Sequence, residues 1–400
     1  MNNKNLSFGT SPSKIREIFE YGNKRKIEIG ADKVFDFSIG NPSVPVPKIV
    51  NDTLIELIKE DKGVHLYTSN PGDMNVRNAV AEYLNKTYGC NLVGKHIFMT
   101  CGAAASLSIS FNALLNKGEE VILFAPYFSE YRPIIENAGG VLNVVKPNTQ
   151  DFSPNFDDFE TKINENTRVV LINTPNNPTG AVYSEEVIKR MSDILRKKEK
   201  EYNKVIYILS DEPYRELIYD DTKYPFITNY YDDSIVCYSY SKCLSLPGER
   251  IGYIAVNENC SDIDNVFLTI CGSARALGFI CAPSLFQHLL ERIQGVLVDI
   301  NIYKTNRDIL YQGLKNIGYD VIYPKGAFYL FMKALEDDAN KFLEKAKEYE
   351  LLFVPSDTFG YPGYVRVSYC VTKEQIEKSL PLFEKLFRDY QKWGQKLWKI

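Results

Sequence analysis

No stretch of the 400 residues approaches 18 uninterrupted apolar positions, so a membrane-spanning helix is not expected. The opening residues, Met1-Asn-Asn-Lys-Asn-Leu-Ser-Phe, lack the apolar core of a secretory signal, and a cytoplasmic location is the expectation. Histidine is scarce, at three, and the eight cysteines (90, 101, 237, 243, 260, 271, 281 and 370) form no Cys-x-x-Cys pair. No metal site is therefore expected, and the thiols read as reduced. Neither sign of charge is in excess: the net charge of −4 gives no electrostatic reason to expect nucleic acid or an anionic membrane as partner. Internal repeats and low-complexity linkers are also missing. What is present is a globular composition, 44% hydrophobic and 24% charged. The length suggests two domains, at roughly 100 to 200 residues each.

From about residue 97 to 256, short apolar runs alternate with amphipathic stretches. Ile97-Phe-Met-Thr leads into Ala103 to Leu115, Val121-Ile-Leu-Phe into Glu130 to Asn137, and Val169-Val-Leu-Ile-Asn into Glu185 to Lys197. Val205 to Leu209, Ile235 to Tyr238 and Ile251 to Val256 follow as further strands. Strands interleaved with helices predict an α/β fold with a largely parallel sheet covered on both faces. Beyond about residue 285 the texture changes to longer helices, strands at Phe328-Tyr-Leu-Phe-Met and Val365-Arg-Val-Ser-Tyr, and a last helix carrying Ile376, Leu380, Phe383, Phe387 and Tyr390. That pattern predicts a second, α+β domain. The first forty residues are too short to fold alone and are expected to pack on it. The charge run Arg196 to Glu201 reads as a solvated helix end.

Ligands of doubly wound sheets bind outside the carboxyl ends of the strands, and here those positions are loaded. The run ending at Ile172 is followed by Asn173-Thr-Pro-Asn-Asn-Pro-Thr-Gly180, the next by Ser210-Asp-Glu-Pro-Tyr214, the next by Ser239-Tyr-Ser-Lys242. Taken singly, Asn-Pro-Thr-Gly is a turn, Asp211 a helix cap and Lys242 a surface lysine. The joint spacing says more, with Asn177 to Asp211 at 34 residues, Asp211 to Lys242 at 31 and Lys242 to Arg250 at 8.

This constellation, from Ile39-Gly-Asn-Pro to Tyr364-Val-Arg-Val-Ser, resembles the pyridoxal-phosphate-dependent aminotransferases of class I/II, the fold-type-I family that includes aspartate aminotransferase. The resemblance implies an N-terminal segment (1–45) packing on the small domain, a large cofactor-binding domain (46–285) whose mainly parallel sheet is sandwiched by helices, and a smaller α+β domain (286–400). It implies pyridoxal 5'-phosphate as cofactor, amino-acid and 2-oxo-acid substrates, ping-pong kinetics and a homodimer with shared active sites. Lys242, in Ser239-x-Ser-Lys ahead of Leu246-Pro-Gly-Glu-Arg250-Ile-Gly, resembles the family's Schiff-base lysine, which once freed also moves the proton. Asp211 matches the carboxylate beside the pyridine nitrogen; Tyr214 and Asn177 match the groups on the ring's phenolic oxygen. Thr100-Cys-Gly102-Ala103-Ala104 ends a strand and opens a helix, a place for phosphate, with Ser239 and Arg250 as the family's other phosphate ligands. Tyr67 matches a tyrosine that reaches the phosphate from the neighbouring subunit. Phe128 falls where an aromatic ring, usually tryptophan in aspartate aminotransferases, stacks on the cofactor. Arg366 matches the arginine that pairs with the substrate α-carboxylate, and Gly40 a backbone position lining the same place.

An aspartate-like side chain needs a second cation, and the phosphate-binding turn, Cys101-Gly-Ala-Ala-Ala-Ser, offers none. Arg25, Arg275 and Lys304 stand as alternatives that spacing does not separate. Among related activities, β-elimination on cysteine conjugates remains the alternative to transamination. A regulatory fusion to a DNA-binding domain is not expected, with about forty residues ahead of the motif region and a negative net charge.

Overall fold

In a computed structural model describing residues 1–10 and 13–397, the predicted apolar runs become the strands of one sheet. In chain order, β1 (Phe35–Asp36) precedes the seven strands of that sheet: β2 (Ile97–Thr100), β3 (Glu120–Phe124), β4 (Val141–Val145), β5 (Thr167–Asn173), β6 (Tyr207–Asp211), β7 (Ser234–Ser239) and β8 (Gly252–Val256). Their spatial order is β2-β8-β7-β6-β5-β3-β4. All neighbours are parallel except β8, which runs antiparallel to both β2 and β7. The inner strands are buried on both faces, which is why they read as continuous Val/Ile/Leu runs.

Side chains alternate across this sheet, and the alternation creates two apolar clusters. Leu123, Leu171, Leu209, Cys237 and Ile254 face one, under the Ala103–Leu114 and Ile263–Leu277 helices. Ile122, Ile172, Ile208, Val236, Tyr238 and Tyr253 face the other. The helices of this second face are punctuated as their sequences require. Asp73 caps the N-terminus of Met74–Tyr88 by accepting from the Asn75 and Val76 amides, and Gly89 ends it at φ 68°.

A four-stranded antiparallel sheet follows, built from β9 (Val321–Ile322), β10 (Tyr329–Lys333), β12 (Val354–Pro355) and β13 (Tyr364–Ser368) in the order β12-β13-β10-β9. β11 (Leu351–Leu352) pairs in parallel with β1. Through that pairing, Ile18, Val34 and Phe37 share a third apolar cluster with Leu310, Phe331, Phe353 and Phe383. The Ser284–Ile293 helix packs instead against Lys48–Glu60 and Met74–Tyr88, on the main-sheet side. No helix among the described residues is long and apolar enough to cross a membrane.

Three details differ from the sequence expectation. β4 is an additional edge strand; its outer residues are exposed or half-buried and its apolar pattern is interrupted by Asn143. The strand expected at Val205 begins at Tyr207 and runs through Asp211, so Asp211 closes β6 rather than following it. The helix expected to end near Lys197 continues to Tyr202, taking the charge run into its last turns, and stops where Asn203 turns left-handed.

Candidate active site

Register sets the floor of the site. Asn173 of β5 lies opposite Asp211 of β6, which lies opposite Cys237 of β7; Ser239 lies opposite Gly252, which lies opposite Thr100. The carboxyl ends of β2, β5, β6 and β7 thus bring Thr100, Asn173, Asp211 and Ser239 to one end of the sheet. Asn173 ties two of these strands to the following turn: its Nδ2 donates to the Asp211 carbonyl at 2.9 Å, and its Oδ1 accepts from the Asn177 amide at 2.8 Å. Gly180, at φ 72°, closes that turn, and its carbonyl accepts from the Lys325 and Gly326 amides. The loop carrying Phe328 and Tyr329 is held against the main sheet in this way.

Asp211 is buried. Oδ2 accepts from the Tyr131 hydroxyl at 2.5 Å and more weakly from Asn173 Nδ2 at 3.4 Å, whereas Oδ1 is buried with no partner among the described residues. Burial pushes its pKa up to about 7; the Tyr131 hydrogen bond opposes this and the neighbouring Glu212 adds to it. Such a carboxyl lacks one favourable donor, and a cationic N–H would supply it.

Lys242 follows β7, and its Nζ donates to the Gly40 carbonyl at 2.7 Å, 5.4 Å from the centre of the Phe328 ring. Burial, more than Arg250 and Arg366, lowers its pKa to about 8, with Cys370 opposing. The amine therefore reaches its neutral, nucleophilic form as pH rises through about 8, well before an exposed lysine does. Gly40 has no room for a side chain, since a Cβ there would lie 2.0 Å from Tyr329 Oη.

Arg366, on β13, is 1% exposed. Nη1 donates to Asn177 Oδ1 at 2.9 Å and Nη2 to the Ser38 carbonyl at 2.5 Å; Nε has no partner among the described residues. The guanidinium lies 4.5 Å from the Tyr329 ring centre and 5.2 Å from that of Phe359. No carboxylate pairs with it among the described residues, so a buried cation is left able to take one. Tyr214 Oη shares a hydrogen bond of 2.9 Å with Tyr329 Oη, linking the turn after β6 to this arginine's neighbourhood.

At the same end of the sheet, beyond β7, Gly102 stands at φ 88° and opens the Ala103–Leu114 helix without a side-chain cap, leaving the first-turn amides of Ala103 and Ala104 available. A Cβ on Gly102 would sit 2.7 Å from Arg250 Nη2. Gly252 separates Gly102 from Ser239 so tightly that a Cβ there would lie 3.0 Å from one Cα and 3.2 Å from the other. Ser239 Oγ is 2.6 Å from Ser241 Oγ. Amides, a hydroxyl pair and a guanidinium converge, an arrangement suited to a phosphate.

Of the residues singled out from sequence, Gly40, Gly102, Ala103, Ala104, Asn177, Asp211, Tyr214, Ser239, Lys242, Arg250 and Arg366 gather along this end of the sheet. Phe128 borders it, half-buried and edge-on to Tyr131 at 5.6 Å. Tyr67 does not join them within one chain; it is 93% exposed. Tyr131, Asn173, Gly252 and Tyr329 were not selected from sequence, although Tyr131 closes the Ala125-Pro-Tyr-Phe-Ser-Glu-Tyr131 segment and Tyr329 sits in a predicted strand.

Comparison with known proteins places the chain by family and fold. Residues 32–381 match the family described as aminotransferase class I and II. The crystal structure of an aminotransferase from Eubacterium rectale superimposes with a TM-score of 0.96 at 53% identity, covering 98% of this chain and 99% of that one. An aspartate aminotransferase of Pyrococcus horikoshii is 33% identical over 93% of this chain and 94% of its own length. The solved aspartate aminotransferase of Thermotoga maritima has a TM-score of 0.83 at 29% identity, over 94% and 98% of the two chains.

Proposed function

The chain belongs to the class I and II aminotransferases, and on that premise we propose that the strand-end site holds pyridoxal 5'-phosphate between Asp211, Lys242 and the Gly102 turn. The enzyme moves the α-amino group of an amino acid to a 2-oxo acid in two alternating half-reactions. The observation that carries the cofactor assignment is the unpartnered, buried Oδ1 of Asp211. When bound, the cofactor supplies an aldehyde that attaches amines and a ring that accepts electrons from the substrate.

The residues present fit that group and divide the work. Asp211 holds a proton on the ring nitrogen, and an ion pair there would lower its raised pKa again. Lys242 Nζ is the covalent anchor and, once displaced by substrate, the base that carries a proton from the substrate Cα. Tyr214 and Asn177 hydrogen-bond the ring's phenolic oxygen, and Phe128 covers the ring face. Gly102, Ala103, Ala104, Ser239 and Arg250 hold the phosphate. Arg366, held in orientation by Asn177 and the Ser38 carbonyl, takes the substrate α-carboxylate beside Gly40.

Two further parts of the reading concern assembly and substrate. Tyr67, exposed on its own chain, reaches the phosphate of a second copy in a two-fold homodimer. Aspartate, for which the Pyrococcus and Thermotoga relatives are named, is one amino donor; with no cation on the Gly102 turn, the α-carboxylate at Arg366 is the recognition feature common to all donors. The cytoplasm is the proposed location. The packing of Ser284–Ile293 supports dividing the large and small domains after Ile293 rather than at 285, with Phe35–Asp36 joining the N-terminal segment to the small domain through β1 while Lys4 reaches the Glu136 carbonyl of the large domain. Borohydride reduction of the holoenzyme followed by peptide mapping tests the site directly. The label is expected on Lys242, and a label on another lysine overturns the assignment.

A further inference from the structure

The two oxygens of Asp211 are treated differently by the fold. Oδ2 is held by Tyr131 Oη at 2.5 Å, and Oδ1 has no donor among the described residues. Tyr131 is 2% exposed, so solvent does not compete for the bond, and burial together with the adjacent carboxylate pushes its ionisation well above the usual phenol range. The hydroxyl therefore keeps its proton for donation. The other groups near the carboxyl are Asn173 on β5, Cys237 across from it on β7 and Tyr214 on its own turn, with the charge of Glu212 on the opposite face of the sheet. Burial keeps the Cys237 thiol neutral, and Glu212 is engaged by Arg215. Tyr131 is left as the close donor that favours the charged carboxylate.

We infer that Tyr131 is a positioning residue of the aminotransferase reaction: its hydroxyl fixes Oδ2 so that Oδ1 is aimed at the cofactor's ring nitrogen and the carboxylate stays charged. This rests on the proposed pairing of Asp211 with that nitrogen. Tyr131 itself touches neither cofactor nor substrate in this role; it acts through Asp211.

The test uses Tyr131→Phe, which removes one oxygen and keeps the ring. In the cofactor-free protein, the Asp211 carboxyl band in difference infrared spectra, with Asp211→Asn as the blank, is expected to titrate about one to two pH units higher, the size of one lost hydrogen bond to an ionised group. Apoprotein affinity for pyridoxal phosphate is expected to fall about tenfold or more when the aspartate is present and to change little in the Asp211→Asn background. Equal losses in both backgrounds, or an unmoved titration, overturn the inference, because a packing role would not depend on residue 211. Should Tyr131→Phe not fold, 3-fluorotyrosine at position 131, a stronger donor of the same shape, is expected to move the carboxyl titration downward; no shift overturns the inference. If Asp211→Asn leaves cofactor affinity intact, the cofactor assignment fails and the role of Tyr131 falls with it. If Asp211→Asn weakens binding and Tyr131→Phe does not, only the Tyr131 inference fails.

Discussion

Asp211 and Glu212 are consecutive buried carboxylates that the sheet's alternation sends to opposite faces. On one face, Glu212 accepts from Ser210 Oγ at 2.8 Å and from Arg215 Nη1 at 3.0 Å. Arg215 also reaches Glu216 Oε1 at 3.1 Å and Tyr253 Oη at 2.9 Å, lies 4.1 Å from the Tyr238 ring centre, and Tyr238 in turn donates to Glu216 at 2.8 Å. On the other face, Asp211 has one oxygen held and one left bare. The same division recurs just beyond the end of β7: Lys242 meets a backbone carbonyl, whereas Cys243 Sγ lies 3.0 Å from Tyr238 Oη and belongs to the satisfied cluster. A buried charge whose partners are all internal is part of the scaffold. One whose partners are incomplete marks where a ligand belongs.

The contrast can be broken experimentally, starting where the effect is largest. Lys242→Ala should reduce turnover by at least about a thousandfold, since anchor and proton carrier are lost together, while Cys243→Ala should leave turnover near that of the parent. Steady-state rates at saturating substrate decide this, and a comparable loss in both variants would erase the distinction. Arg215→Met should cost about 3 to 5 kcal/mol of stability in urea unfolding, because two buried carboxylates lose their shared cation. An unchanged midpoint would show that the cluster is not scaffold. Asp211→Asn should lower turnover by about a hundredfold or more without lowering the urea midpoint of the apoprotein.

A smaller effect sharpens the comparison through pH. The folded-state pKa of Asp211 is raised to about 7, so its contribution to stability is fully present below about pH 4, the unfolded value, and is lost as pH rises through about 7. Lys242 is lowered to about 8, so its contribution is present above about pH 10 and is lost as pH falls through about 8. Apoprotein Asp211→Asn should therefore gain on the parent as pH rises toward neutrality, and Lys242→Ala should gain as pH falls toward it. Cofactor binding should flatten both differences. Urea unfolding across the range, with and without pyridoxal phosphate, provides the measurement.

The strands were legible in the sequence because inner parallel strands are apolar on both faces, and β4 escaped because an edge strand is not. The chemistry-bearing residues at the ends of β5, β6 and β7 could be found for a related reason: each apolar run stops at the site. Tyr131 and Tyr329 had no such marker. They are two of 27 tyrosines, and their partners lie 80 and 115 residues away in the chain. Gly252 was hidden differently: its need for glycine arises from the Tyr238 carbonyl, which a Cβ would meet at 2.1 Å, and from the approach of Gly102 and Ser239, contacts that only tertiary pairing creates. The residues of the small domain that frame Arg366 depend likewise on the loop held at Gly180.

The insertion of β8 between β2 and β7 also bears on how the protein is made. Strand β2 leaves the ribosome early, but Thr100 finds its neighbour only when Gly252 has been synthesised, more than 150 residues later. Until then, the Gly102 turn has no fixed relation to Ser239 or Asp211, and the nascent chain exposes an apolar edge with nothing beside it. Arg366 arrives later still, on β13. With the cofactor held as proposed, a growing chain would not capture it piecemeal, and truncated translation products would carry the motifs without the binding site.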